Sequence, residues 1–348
     1  MAGRAIVVDG RADRFAPHIP TVQPGVEAVR TLPIRVAPVA GESLESWLEA
    51  CASRNHVTWG EMLNAVGLQG ESNRVRVPHY TVSPTAEQLS TISYATGVPD
   101  SVIRAMTTAN LVDTSSSGSA VPDRLRLSRS RFCPKCLADS GGRWQLWWKF
   151  WWAFACPLHQ CLLVDRCPRC SSHQRLRPLP KGLEPQPGHC TCRALGAPGR
   201  SLRRCGELLW TADTMDLNGD HPAIVAQIAL LEVLAAGSTS MGIYSTSPAS
   251  ARQFFTDLTA LGQRIMHYVS ADELRTAAPQ DLWNAHEHSM IDRVEPHPAS
   301  ALRFLVHDSS ATLAMAVCVA LPIVQATSPT GSRPKVGVKA PVGSQLRG

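Results

Sequence analysis

No long apolar run crosses this chain. The longest, Ala311 to Val324, contains Pro322 and falls short of the ~20 residues a membrane span requires. The opening residues, MAGRAIVVDGRADRFAPHIP, scatter charge throughout and lack the apolar centre of a secretory signal. Together these absences lead us to expect a cytoplasmic chain with no membrane contact, in which thiols stay reduced. Charge is scarce as well. Only 18% of the 348 residues are charged and 44% are hydrophobic, the balance of a globular protein long enough for two domains. The fingerprints of common enzymes are missing too: no Walker A loop, no dinucleotide-binding glycine pattern and no Gly-x-Ser-x-Gly elbow. His286-Glu287-His288 lacks the His-x₃-His spacing that sets two imidazoles on one helical face, and His307-Asp308 is an isolated pair. With no nucleophile–base constellation to carry chemistry, the chain is expected not to be an enzyme.

One region is short of acid. Between residues 121 and 210 there are 16 basic residues and 5 acidic ones, a net +11, although the whole chain carries only +6. The rest is therefore near −5. Such a concentration suits a surface that meets phosphate, and equally suits solvation of a loop-rich segment. Arg124, Arg126, Arg129 and Arg131 are the candidate phosphate contacts.

The same region holds most of the eleven cysteines. Cys133-x₂-Cys136, Cys156-x₂-His159 and Cys167-x₂-Cys170 repeat one two-residue gap, each with proline (Pro134, Pro157, Pro168) at the second position. Two ligands so spaced on a tight turn aim at one point, and proline presets φ for that turn. In a reducing compartment the repeat reads as metal, not as a disulfide framework. Two structural Zn²⁺ sites follow. Cys133, Cys136, Cys156 and His159 make a Cys₃His set. Cys167, Cys170 and Cys205, backed by Gly206, begin a Cys₄ set that Cys190 or Cys192 completes, with Cys190 preferred. Zinc in both would still leave the segment near +8, by the charge balance above. Cys51, Cys161 and Cys318 fit no pair and read as small buried hydrophobes. Five of the nine tryptophans fall between Trp144 and Trp152. They can fill the core of a small metal module, or stack on bases beside Arg143 and Lys149; filling is the favoured reading.

Helical patterns flank this middle. Leu44, Trp47, Leu48 and Cys51 share a face behind an N-cap at Ser43; Trp59, Met62, Leu63 and Val66 share another behind a Thr58/Glu61 capping box. The short connection between them makes a helix-turn-helix. Thr85/Gln88, Gly97 and Pro99-Asp100 mark a second pair. Beyond residue 220, Ile224, Ile228, Leu231 and Leu234 or Ala235 line one helix. Phe254, Leu258, Leu261 and Ile265 line a second, and Ala311 to Leu321 is apolar all round. The expected organisation is a flexible leader (1–31), a helix-turn-helix domain (32–112) and, past a DTSSSGSA linker, a zinc-binding double-knuckle module (121–210). A helical region (221–324) and a basic disordered tail (325–348) complete it. The fold class is mainly α.

In order, LPIRVAPVAGESLESWL, a helix-turn-helix, FCPKCL, a tryptophan-rich stretch, WAFACPLH and LLVDRCPRC resemble the TniQ/TnsD family of transposition target-selection proteins, over roughly residues 32 to 210. The resemblance implies an adaptor that joins a target, either DNA or a guide-RNA complex, to an AAA+ ATPase of the TnsC type. It places the family's zinc ligands on Cys133, Cys136, Cys156, His159, Cys167, Cys170 and Cys205, with the eighth still open between Cys190 and Cys192. The rival expectation is a stand-alone zinc-containing transcriptional regulator that uses the same helix-turn-helix.

Overall fold

The computed structural model describes residues 31–68, 77–111, 129–176, 178–197, 202–291 and 309–326. The leader before residue 31, the DTSSSGSA linker, Arg124, Arg126, His307-Asp308 and the tail from residue 327 lie outside the described residues.

Each expected helix start is built as its side chains dictate. The Ser43 hydroxyl accepts from the Ser46 amide at the head of α1 (Leu44–Arg54). Reciprocal capping boxes, Thr58/Glu61 and Thr85/Gln88, open α2 (Trp59–Ala65) and α4 (Ala86–Thr96). A four-residue turn, α3 (His79–Val82), precedes α4 and has no apolar periodicity to announce it. Gly97, at φ +75°, ends α4, and α5 (Asp100–Ala105) follows Pro99. Leu44, Trp47, Leu48, Trp59, Met62, Leu89, Ile92 and Ile103 close into one apolar cluster, with Leu179 reaching in from the middle of the chain.

In the middle, regular structure is sparse: α6 (Pro134–Asp139) and an antiparallel pair, β1 (Ala155–Cys156) and β2 (Cys161–Leu162). The C-terminal part is helical again. It contains α7 (Pro222–Ala236), a two-stranded β3 (Ser238–Thr239) and β4 (Ala249–Ser250), α8 (Ala251–Tyr268), α9 (Ala271–Ala277), α10 (Gln280–Ile291) and α11 (Ser310–Gln325). Helix α11 packs against α7, α8 and α10 and is buried nearly throughout, in line with its unbroken apolar character. The architecture is mainly α, and no described helix is long and apolar enough to cross a membrane.

The tryptophan-rich stretch belongs to the core. Trp144, Trp148, Phe150, Trp152 and Phe154 are buried, while Trp147 and Trp151 are partly so. Phe150 meets Phe255 edge-on at 4.9 Å, and Trp152 stacks on the same ring at 6.5 Å. These contacts join the middle segment to α8 in one continuous apolar cluster, so a base-stacking platform is not what the residues form.

Helix α7 departs from its expected stripe. Its buried residues are Ala223, Ile224, Ala226, Gln227, Leu230 and Val233, whereas Ile228 is exposed. The helix is apolar all round, so periodicity could not choose its inward face. The Gln227 carboxamide oxygen chose it instead, accepting from the Phe154 and Ala155 amides at 2.7 and 3.2 Å.

Acidic residues seal α1 to the middle segment. Glu42, Glu45 and Glu49 lie at helical spacing and are all buried. Arg143 grips Glu42, with Nη2 at 2.8 Å from Oε2; Lys149 reaches Glu45 at 3.3 Å; and Arg175 forks onto Glu49 at 2.7 and 2.8 Å. Arg175 also lies 4.6 Å over the Trp144 ring. Backbone bonds reinforce the seam: Ser43 N to Trp144 O and Leu146 N to Gly41 O, with Gly41 at φ +73° where a Cβ would strike Gln145. Part of the basic surplus of 121–210 therefore neutralises an acidic face of α1.

Candidate metal centres

The first centre is assembled from a helix start and a hairpin. Cys133 is the N-cap of α6, its sulfur accepting from the Cys136 amide, and Pro134 occupies the first helical position, where its missing N–H costs nothing. One helical turn thus holds both cysteines of the pair on the same side. Across from them Cys156 ends β1, and the turn to β2 carries His159, with Gln160 at φ +49°. The ligand atoms of Cys133, Cys136, Cys156 and His159 all lie within 4.8 Å of one another. Cys136 Sγ is 3.6 Å from Cys156 Sγ, and His159 Nδ1 is 3.6, 3.1 and 3.7 Å from the sulfurs of Cys133, Cys136 and Cys156.

The second centre uses the same logic on loops. Cys167 and Cys170 share a turn closed by Ser171 N to Cys167 O, with Ser171 at φ +53°. Cys190 and Cys205 lie on two segments paired by Cys190 N to Glu207 O and Cys205 N to Cys192 O, each 2.8 Å. Gly206, at φ +68°, turns the chain directly behind Cys205, a backbone conformation that a side chain would strain. Cys167, Cys170, Cys190 and Cys205 gather within 4.8 Å, with sulfurs 3.8 Å apart for Cys167 and Cys205 and 3.7 Å apart for Cys170 and Cys190.

These spacings discriminate between chemistries. A disulfide needs sulfurs at about 2.05 Å. A tetrahedral ion with metal–sulfur bonds of about 2.3 Å sets its sulfurs about 3.8 Å apart, the edge of that tetrahedron. Both sets fit the second value, so both can hold a metal ion. Neighbouring groups fit as well. His159 turns Nδ1 toward the sulfurs while its Nε2 meets Asp139 Oδ2 at 2.8 Å, an arrangement that fixes the tautomer and aims the ring. Nothing in the spacing of the cysteines announced Asp139; its only signal was its place at the end of the short helix that Cys133 begins. Gln174, buried, donates Nε2 to Cys190 Sγ at 3.4 Å. Of the two candidates for the eighth position, Cys190 lies in the group of four that could hold an ion. Cys192 stands outside the group of four, and its thiol meets the His173 carbonyl at 3.4 Å.

Thiol electrostatics shows why such sets want a cation. Hydrogen bonds from Cys136 and Cys156 press Cys133 down, while Cys136 is pushed up by its bonds to Cys133 and Cys156. Burial lifts Cys167 to about 11 and Cys205 to about 12. Adjacent thiolates repel one another unless a positive ion lies among them.

The unpaired cysteines separate. Cys51 and Cys161 are buried, whereas Cys318 is only partly so. Cys161 Sγ stands 3.7 Å from Cys133 Sγ, outside the four-atom set. Arg131 does not face phosphate. It is fully buried, with Nε 2.6 Å from Asp165 Oδ1 and Nη1 donating to the Trp151 and Ala153 carbonyls. Asp165 in turn accepts from the amide and hydroxyl of Ser310, tying the middle segment to the start of α11. Arg129 is half-buried nearby. Of the histidines of α10, His286 meets α11, with Nδ1 2.8 Å from the Thr312 hydroxyl, whereas His288 is exposed and its Nδ1 lies 2.7 Å from the Asn284 carbonyl of its own helix.

A model of the TniQ family matches residues 33–163. The matched span begins in the extended segment before α1 and ends just past β2, enclosing the first centre and, of the acid–base seam, the three glutamates with Arg143 and Lys149 but not Arg175. No curated protein matches the chain.

Proposed function

We propose, from the match of residues 33–163 to the TniQ family model, that the chain is a non-enzymatic target-selection adaptor of DNA transposition. In this reading it binds target DNA, or a guide-RNA complex at the target, and recruits an AAA+ ATPase of the TnsC type. Zn²⁺ in both centres, held by Cys133, Cys136, Cys156 and His159 and by Cys167, Cys170, Cys190 and Cys205, folds the middle of the chain.

The observation that carries the reading is closure. Each centre offers four protein ligand atoms and both are largely buried, the pattern of structural zinc, whereas catalytic zinc keeps a position open for water. Thiolate with imidazole at tetrahedral spacing favours zinc over the harder divalent ions. Residues 32–112, 121–210 and 221–324 then act as a helix-turn-helix domain, a zinc module and a helical region, the first two joined by the acid–base seam and the last two by a shared apolar cluster.

The seam also bears on the regulator alternative. A groove-reading second helix presents its N-terminal turn to base edges. In α2 the amides of Trp59 and Gly60 donate to the carbonyls of Leu183 and Lys181, so the middle segment already covers that turn. Adaptor function asks nothing of it.

Elemental analysis of the purified chain, alongside thermal unfolding with and without chelator, tests the metal half. Two zincs per chain and loss of folding on their removal are expected; one or none, or an activity that follows an exchangeable metal, overturns it. Co-sedimentation with an ATPase of the TnsC type on DNA tests the adaptor half, and failure to retain the ATPase refutes recruitment.

A further inference from the structure

Four of the eleven cysteines stand outside both sets of ligand atoms: Cys51, Cys161, Cys192 and Cys318. Cys51 belongs to α1 and Cys318 to α11, and the Cys192 thiol donates to the His173 carbonyl. Cys161 is different. Its Sγ lies 3.7 Å from Cys133 Sγ, within the 3.6 to 3.8 Å that the ligand sulfurs of these centres keep from one another.

The fold pins Cys161 there from both edges of its strand. On one side it is the register partner of Cys156 across the β1–β2 pair, so the two side chains share a face. On the other side Leu162 N donates to Met215 O and Leu217 N to Gln160 O, holding β2 against the segment before α7. Cys161 is fully buried. His159, two positions earlier, is the contrary case. It sits in the turn outside the pair, its side chain is 17% exposed, and the Asp139 that aims it is 69% exposed. The first centre thus gathers five donor side chains for one four-coordinate ion, with a buried thiol and a partly exposed imidazole among them. The charge of a further thiolate also has a cation near it. The Lys135 ammonium is held charged first by its hydrogen bond to Asp216, at 2.7 Å, and then by Cys161 and Cys133.

We propose that Cys161 is a reserve metal ligand, taking the fourth position of the first centre when the His159 imidazole leaves it. The proposal rests on the metal part of the function proposed above and adds a second ligand set: Cys133, Cys136, Cys156 and Cys161. On exchange a nitrogen–metal bond gives way to a sulfur–metal bond, and the Cys161 thiol releases its proton to solvent. Tetrahedral zinc accepts either set, Cys₃His or Cys₄. Cys161 shares the hairpin with His159, so that ligand's position is the one it fills; Cys133 and Cys136 come as a unit from the start of α6. Such a reserve lets the turn of residues 157–160, where Leu158 is 77% exposed, yield its histidine while the module keeps its metal.

The test is cadmium NMR of the full chain loaded with enriched Cd²⁺, whose resonance moves downfield as sulfur replaces nitrogen, with metal content measured on every variant. Wild type should hold two equivalents, one with a three-sulfur, one-nitrogen resonance and one with a four-sulfur resonance. His159→Ala should keep two equivalents, both now of the four-sulfur type. Cys161→Ala should leave the wild-type pattern unchanged, and the two substitutions combined should lose one equivalent. Loss of one equivalent from His159→Ala alone, or a double variant that still holds two, overturns the proposal and leaves the two structural sites standing. So does a His159→Ala resonance short of the four-sulfur range, because water then fills the position. Should His159→Ala fail to fold, chelator competition decides between wild type and Cys161→Ala. Faster metal loss from Cys161→Ala is expected, and equal rates overturn the reserve role. Fewer than two equivalents in the wild type overturn the metal centres themselves, and the reserve ligand with them.

Discussion

At the scale of single residues, the arrangement around each candidate centre separates groups that could hold metal from groups that aim them. Cys136 is one of four ligand atoms with no substitute of matching reach, so Cys136→Ser should remove one metal equivalent and unfold the middle segment; a folded variant retaining two equivalents would refute its role. Asp139 aims His159 from its outer nitrogen and is itself largely exposed. Asp139→Asn should therefore keep the fold and weaken metal retention by about 10-fold, the lower end of what such outer partners contribute, as read by competition with a chelator. Arg131 is a different case. As a buried cation paired with Asp165, its truncation in Arg131→Ala should cost about 3–5 kcal/mol of stability in denaturant melts. DNA affinity of the folded fraction should not change. The basic run of residues 124–131 made Arg131 look like a phosphate contact, because sequence shows a charge but not the carboxylate 34 positions away that neutralises it.

At the scale of elements, α1 is the instructive one. Its apolar stripe and its Ser43 cap were legible, since both follow from local spacing. Its acidic face was not, because Glu45 and Glu49, with Glu42 just before the cap, would ordinarily mark the solvent side. They are buried because Arg143, Lys149 and Arg175 arrive from distant parts of the chain. Burial raises Glu49 to about 7 against the pull of Arg175; Glu45 also feels burial, but Lys149 and Arg175 together bring it below its usual value. The sign of the consequence follows from proton counts. Folded Glu49 keeps its proton to a higher pH than it does in the unfolded chain, so between about 4.5 and 7 the folded state binds more protons and stability falls as pH rises. Glu49→Gln has no such proton to lose. The stability of the variant relative to wild type should therefore rise across that window in melts at fixed metal, and a difference that stays flat with pH would show Glu49 ionised throughout. Helices α9 and α10 carry a related lesson. The Ser270/Glu273 capping box of α9 was present in the sequence, yet these helices are too short or too weakly patterned for periodicity to delimit.

At the scale of the whole molecule, the metal centres and the C-terminal helices share one core. Phe132, Trp144, Trp148, Phe150 and Trp152 belong to the same apolar cluster as Phe254, Leu258, Leu282 and Leu313. Stripping metal should thus melt more than the middle. Loss of far-UV helical signal should coincide with loss of the near-UV tryptophan signal, because α7, α8 and α11 lose the surface they pack on. Separate transitions would show that the helical part stands alone. Acid should act in the same direction. Thiols must be deprotonated to bind metal, and burial holds Cys205 up at about 12, so metal binding expels protons and retention should decline as pH falls.

Local rules sufficed for a good deal of this protein. Repeated two-residue gaps and prolines that preset φ marked the candidate metal-ligand side chains, and caps with 3.6-residue periodicity marked the main helices. Each of these signals acts over a few residues and survives in one dimension. Tertiary structure alone decided the rest: the gathering of Cys190 rather than Cys192 with the other three thiols, the aim of His159 through Asp139, the inward face of α7, the fate of the tryptophans and the pairing of Arg131, Arg143 and Arg175 with carboxylates. The physical reason is common to all of them. Each depends on which distant groups share a low-dielectric space, and that is fixed by the path of the folded chain.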